Sequence, residues 1–111
     1  MELCFTDAKV RDLCSSQDAL VREYGAALAR RICCKLAFLE AAPTLACVPS
    51  ELPIGLIRIG DQGRYAVALG ATHHLVFQAL PKETAAMADL SKILKLLIVG
   101  FGIGPAAKAA H

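Results

Sequence analysis

An imidazole exchanges a proton near neutral pH, and a guanidinium grips a phosphate through two parallel hydrogen bonds. Both occur in one stretch of this chain. Between Ile54 and Leu80 lie Arg58, Arg64, Tyr65, His73 and His74, the densest group of potentially chemical side chains among the 111 residues. Arg58 and Arg64 fall on neighbouring strands and could reach one phosphate between them. Adjacent strand residues face opposite ways, so only one of His73 and His74 can look into a given site. The plainer readings are ordinary strand charges for the two arginines, a surface role for the histidines and a core position for Tyr65.

The stretch that must position them reads as a meander of three antiparallel strands. Arg64 to Leu69 alternates at period 2, with Tyr65, Val67 and Leu69 on one face and Arg64, Ala66 and Ala68 on the other. Gly55–Ile59 and His73–Leu80 are rich in β-branched and aromatic residues. Gly60-Asp-Gln-Gly63 and Gly70-Ala-Thr72 are the turns, their glycines supplying the backbone freedom that tight turns demand.

Upstream, Glu2 to Phe5 alternates like a strand, with Leu3 and Phe5 against Glu2 and Cys4. Asp7 stands as the N-cap of a short helix, Ala8 to Cys14. Ser15-Ser-Gln-Asp18 caps the next helix. Leu20, Tyr24, Leu28, Ile32, Leu36 and Leu39 then recur at helical spacing, which predicts one long amphipathic helix through Glu40, carrying Arg22, Arg30, Arg31 and Lys35 on its other sides. Residues 41–53, with Pro43, Pro49 and Pro53, are a loop or at most one short turn. Residues 81–89 read as a loop, and Ser91 to Phe101 as a buried last strand, its apolar run far short of the roughly twenty residues that span a bilayer. The expected architecture is α+β: an N-terminal strand, two helices on one face of a mainly antiparallel sheet, and a C-terminal meander. One domain spans 1–101, followed by a flexible tail, 102–111.

Composition narrows the partners. The hydrophobic fraction is 56%, above the roughly 45 to 50% of ordinary soluble domains, which suits a chain whose apolar surface is covered by a partner. A net charge of +2 announces no nucleic-acid binder as a whole. The five cysteines, Cys4, Cys14, Cys33, Cys34 and Cys47, show no Cys-x-x-Cys spacing and read as buried thiols in a reducing cytoplasm, not as a metal site. Cys33 and Cys34 would face different ways on a helix.

Four places together resemble the RelE and ParE superfamily of type II toxin–antitoxin toxins, closest to HigB-like plasmid-maintenance killer proteins. They are the opening strand Met1 to Phe5, the long helix with Arg30-Arg31, the segment Gly60-Asp-Gln-Gly-Arg-Tyr65, and His74-Leu-Val-Phe77 with the closing Asp89-Leu-Ser-Lys-Ile93. The turn of the killer group typically begins with Lys, where this chain has Ile59. Its third meander strand carries Arg where this chain has His74. Its last strand often ends in acidic residues, Tyr and His, whereas Ile98 to Gly104 has no ionisable group.

The resemblance implies a cytoplasmic toxin held by a cognate antitoxin, as a homodimer or a toxin–antitoxin heterotetramer, with no membrane partner. Freed, it would act as a metal-independent, cofactor-free endoribonuclease on messenger RNA at the ribosome. Such cleavage needs the 2′-hydroxyl deprotonated, the phosphorane charge neutralised and the leaving oxygen protonated. His74, at the family's Arg position, with Arg58 and Arg64, would carry that catalysis. Arg30, Arg31, Lys35, His73 and Lys92 would contact RNA. The alternative is a toxin-fold protein that acts by binding, as a gyrase inhibitor or an inactive antitoxin-binding module, and the missing C-terminal acid favours it.

Overall fold

Three helices lie on one face of a five-stranded sheet in the computed structural model, which describes residues 1–51, 54–59, 63–70, 72–80 and 90–104. In chain order the elements are β1 (Glu2–Phe5), α1 (Ala8–Cys14), α2 (Gln17–Tyr24), α3 (Ala26–Ala41), β2 (Ile57–Ile59), β3 (Arg64–Ala68), β4 (His73–Leu80) and β5 (Lys95–Ile103). Short 3-10 turns occupy Leu45–Cys47 and Leu90–Lys92. The strand order is β1-β5-β4-β3-β2, with β1 parallel to β5 and every other pairing antiparallel. This is the expected α+β class, opening strand and meander, with three helices in place of two.

The long helix predicted through Glu40 is broken at Gly25. There φ is +88° and ψ is 162°, a combination essentially confined to glycine. The Gly25 amide still closes α2 on the Val21 carbonyl at 2.8 Å, and its carbonyl opens α3 by accepting from the Ala29 amide at 3.0 Å. The apolar stripe hid the break because Leu20 before it and Leu28 after it enter the same core. At the other predicted helix starts the caps form. The Asp7 carboxylate accepts from the Val10 amide at 2.9 Å, and the Ser16 hydroxyl accepts from the Ala19 amide at 3.2 Å; such caps typically contribute about 1 kcal/mol each.

Directly paired strand residues share a face, so the register sorts every side chain. Leu3, Phe5, Tyr65, Val67, Leu75, Phe77, Leu96 and Ile98 turn toward the helices and meet Leu20, Ala29, Ile32 and Leu39. Tyr65 is buried there, stacked on Phe77 with ring centroids 6.2 Å apart. The opposite face carries Ile57, Ile59, Ala66, Ala68 and Val76.

β5 runs two residues past the expected end of the domain. Ile103 pairs with His73 and Gly102 with His74, while the Gly104 amide donates to the Thr72 carbonyl at 2.6 Å. The remainder of the expected tail, the loop at 81–89 and the tip of the first turn at 60–62 lie outside the described residues. The cysteines are less buried than expected: Cys34 and Cys47 are exposed, and Cys4, Cys14 and Cys33 half-buried. Cys33 and Cys34 do face different ways. Among the described residues, the large exposed apolar side chains, Val21, Phe38, Leu94 and Ile103, stand on separate segments, and no helix is long and apolar enough to cross a membrane.

Candidate functional site

Arg58 and Arg64 do not meet over one phosphate. Arg58 pairs with Tyr65 and therefore lies on the helix side, whereas Arg64 pairs with Ile59 and Gln78 on the opposite face. Both are exposed. A one-residue difference in parity separates them by the thickness of the sheet.

His74 is closed off. It shares the helix-free face with Arg64, is only 6% exposed, and its Nδ1 lies 3.0 Å from the Gly104 carbonyl oxygen, to which it donates. Its ring lies over Gly102 so closely that a Cβ built there would come within 2.0 Å of Nε2. Strand β5 makes room for the ring with Gly102, opposite His74, while Gly100 pairs with Val76. That alternation was visible in the sequence and is the signal that identifies His74 as a packed histidine. Ile59, paired with Arg64, and His74, paired with Ala68, are on one face, at opposite ends of β3. The same face carries Ile57, Ala66, Ala68 and Val76 together with Arg64, His74 and Gln78, and toward its β1 edge the ion-paired Lys95 and Glu2.

His73 has a different environment, at a corner on the helix side. Its Nδ1 is 3.0 Å from the Thr72 hydroxyl. The Tyr24 ring meets His73 edge-on at 6.0 Å and Phe101 at 5.3 Å. Arg31 reaches the same β3–β4 turn, its guanidinium lying against Gly70 so that a Cβ there would come within 2.8 Å of Nη1. The turn is closed by the Leu69 amide donating to the His73 carbonyl at 3.0 Å. Gly70 has φ +85°, which lets the chain reverse beneath the guanidinium. The fold thus brings the candidates Arg31 and His73 together. Lys35, half-buried, stands one helical turn along α3 from Arg31, and Arg30 is exposed beside it. Lys92, also exposed, sits before β5, at the far end of that strand from His73.

Sequence reasoning missed Tyr24 and Thr72 as members of this corner. Tyr24 was absorbed into the apolar stripe, although it is the last residue of α2, where the helix breaks and its hydroxyl end can reach the surface. Burial pushes its phenol above the ordinary value of 10.0, with Glu23 and Cys14 adding to the effect. Among the described residues no three His, Cys, Asp or Glu side chains gather as a metal set. No family model, no curated protein and no solved structure matches the chain.

Proposed function

We propose that the chain is the toxin-fold partner of a type II toxin–antitoxin pair, bound by a cognate antitoxin, and that it acts by occupying a target and not by cutting messenger RNA. The resemblance supports the first half of this reading, together with an observed α+β fold of the expected class. One observation carries the second half. On the helix-free face, Ile59 and a sealed His74 stand where the resemblance expects two cations, leaving Arg64 there while Arg58 faces the other way. Metal-free phosphodiester cleavage requires a proton-transfer group and charge-stabilising donors converging on one phosphate. His74, Arg58 and Arg64 do not converge.

A second reading, RNA cleavage after all, draws on the pairing of Arg31 with His73 at the helix-side corner, which keeps a cation and an accessible imidazole together.

Pulsed expression from a tightly controlled promoter, with growth followed and message 5′ ends mapped within minutes, tests the proposal. The expected result is growth arrest, relieved by co-expressing the neighbouring antitoxin frame, with message ends unchanged. New ends that disappear in His73→Ala or Arg31→Ala would establish the cleavage reading instead. Undisturbed growth with the protein present would remove the toxin assignment.

A further inference from the structure

We propose that the α-amino group of Met1 is a modification-sensitive site: as a free ammonium it clamps the C-terminal end of α3 to the sheet, and an acyl group on that nitrogen, formyl being the smallest, releases the clamp. The inference stands apart from the toxin reading and rests on a different end of the molecule.

The sequence leaves α3 without an ordinary close. The last carbonyls of a helix have no partner within it, and a glycine after the final turn or a basic side chain inside it commonly serves them. Here α3 ends at Ala41, its last turn holds no basic residue, and Ala42 has extended backbone. In a continuing helix the Leu39 carbonyl would accept from the amide of residue 43, but that residue is Pro43, which has no N–H. The Ala42 amide serves the Phe38 carbonyl, at 3.0 Å. The Met1 ammonium meets the shortfall. It donates to the Glu40 carbonyl at 2.7 Å, to that of Ala42 at 2.5 Å and more loosely to that of Leu39 at 3.4 Å. A free amine offers both the N–H groups and the positive charge that suit the negative end of a helix dipole.

One nitrogen thereby joins three segments. The Glu2 amide donates to the Leu94 carbonyl at 3.0 Å, and β1 runs parallel to β5 from the Glu2–Lys95 pair onward. The Leu45 amide, just beyond α3, donates to the Ile93 carbonyl at 3.2 Å. β1 is only 4 residues long and lies at the sheet edge, with Leu3 and Phe5 packed on the core. Its attachment therefore depends on what holds Met1. Acylation makes the nitrogen an amide with one N–H and no charge. Hydrolysis of formyl-Met1 reverses this: the C–N bond to the formyl carbon breaks, the oxygen of water leaves in formate, and the hydrogens of water complete the ammonium.

Two forms of the full chain test the proposal by amide hydrogen exchange: one with Met1 free, and one expressed with deformylase inhibited and shown by N-terminal peptide mass to carry formyl-Met1. Protection of the Glu2 and Leu45 amides, each measured against the same form in urea, should fall about tenfold or more in the formyl form, the loss anticipated for hydrogen bonds to a charged group. The Ala68 and Ala79 amides, bonded to Ile54 and Gly63, should keep their protection. Should the formyl form not fold, the free chain gives a second readout. Formaldehyde with cyanoborohydride should methylate the Met1 amine about tenfold more slowly in the folded chain than in urea, with the exposed Lys9 as internal reference. Equal protection of Glu2 and Leu45 in the two forms, a loss no larger there than at Ala68 and Ala79, or a folded Met1 amine as reactive as the unfolded one would overturn the proposal. So would residues found ahead of Met1 in the protein from its source, because a peptide nitrogen carries a single N–H and no charge. Growth arrest and message integrity are read in a separate experiment, so the clamp and the toxin reading fail independently.

Discussion

Two side chains illustrate how environment, more than residue type, decides chemistry. His73 and His74 are chain neighbours, yet one lies at an accessible corner and the other over glycine with its Nδ1 satisfied. Choosing between them from the sequence by likeness selected the buried one. Cys14 makes the same point. Burial, with the nearby Cys33 adding to it, pushes its thiol from 9.0 up to about 11. The unfolded chain would then lose that proton before the folded chain does. The linked stability is fully present below about pH 9 and is lost as pH rises toward 11. Denaturant midpoints measured across that window should fall more steeply for the native chain than for Cys14→Ala. At pH 8, iodoacetamide should label the exposed Cys34 and Cys47 well ahead of Cys14.

At the scale of elements, the meander was legible and its facing was not. Period-2 alternation located β3 and placed Tyr65 in the core, and Asp7 and the stretch Ser15-Ser-Gln-Asp18 marked two helix starts correctly. The break at Gly25 escaped because a helical stripe continues across two helices that pack on one core. The separation of Arg58 from Arg64 escaped because facing depends on the hairpin register, which alternation within one strand does not specify. In β5, Gly102 clears the space that His74 fills. Gly102→Ala would drive a methyl into the imidazole and break its bond to Gly104. It should destabilise the protein by about 1 to 3 kcal/mol, the usual cost of overpacking, read from urea midpoints. Gly100→Ser would not serve as a control, because φ at Gly100 is +153°.

For the whole molecule, the sheet separates two surfaces of unlike character. One side carries the helices, the apolar core and the cations Arg31, Lys35 and Arg58, with His73 and Tyr24 at its corner. The other carries Ile57, Ile59, Ala66 and Ala68 with Arg64 and a sealed His74, and the Lys95–Glu2 ion pair toward β1. The fold class was readable from the order of elements, since a strand, helices and a meander admit few arrangements. The site was not, because its members come from α2, α3 and one turn, and only packing brings them together. The proposed function, holding a target and not cutting a message, is compatible with this separation of surfaces, because His74, Arg58 and Arg64 do not converge on one point.

Incubating purified protein with ribosomes programmed by an end-labelled message tests that claim most directly. The account predicts that the message stays full-length. Discrete message fragments that His73→Ala, Arg31→Ala, His74→Ala or Arg64→Ala abolishes would contradict it.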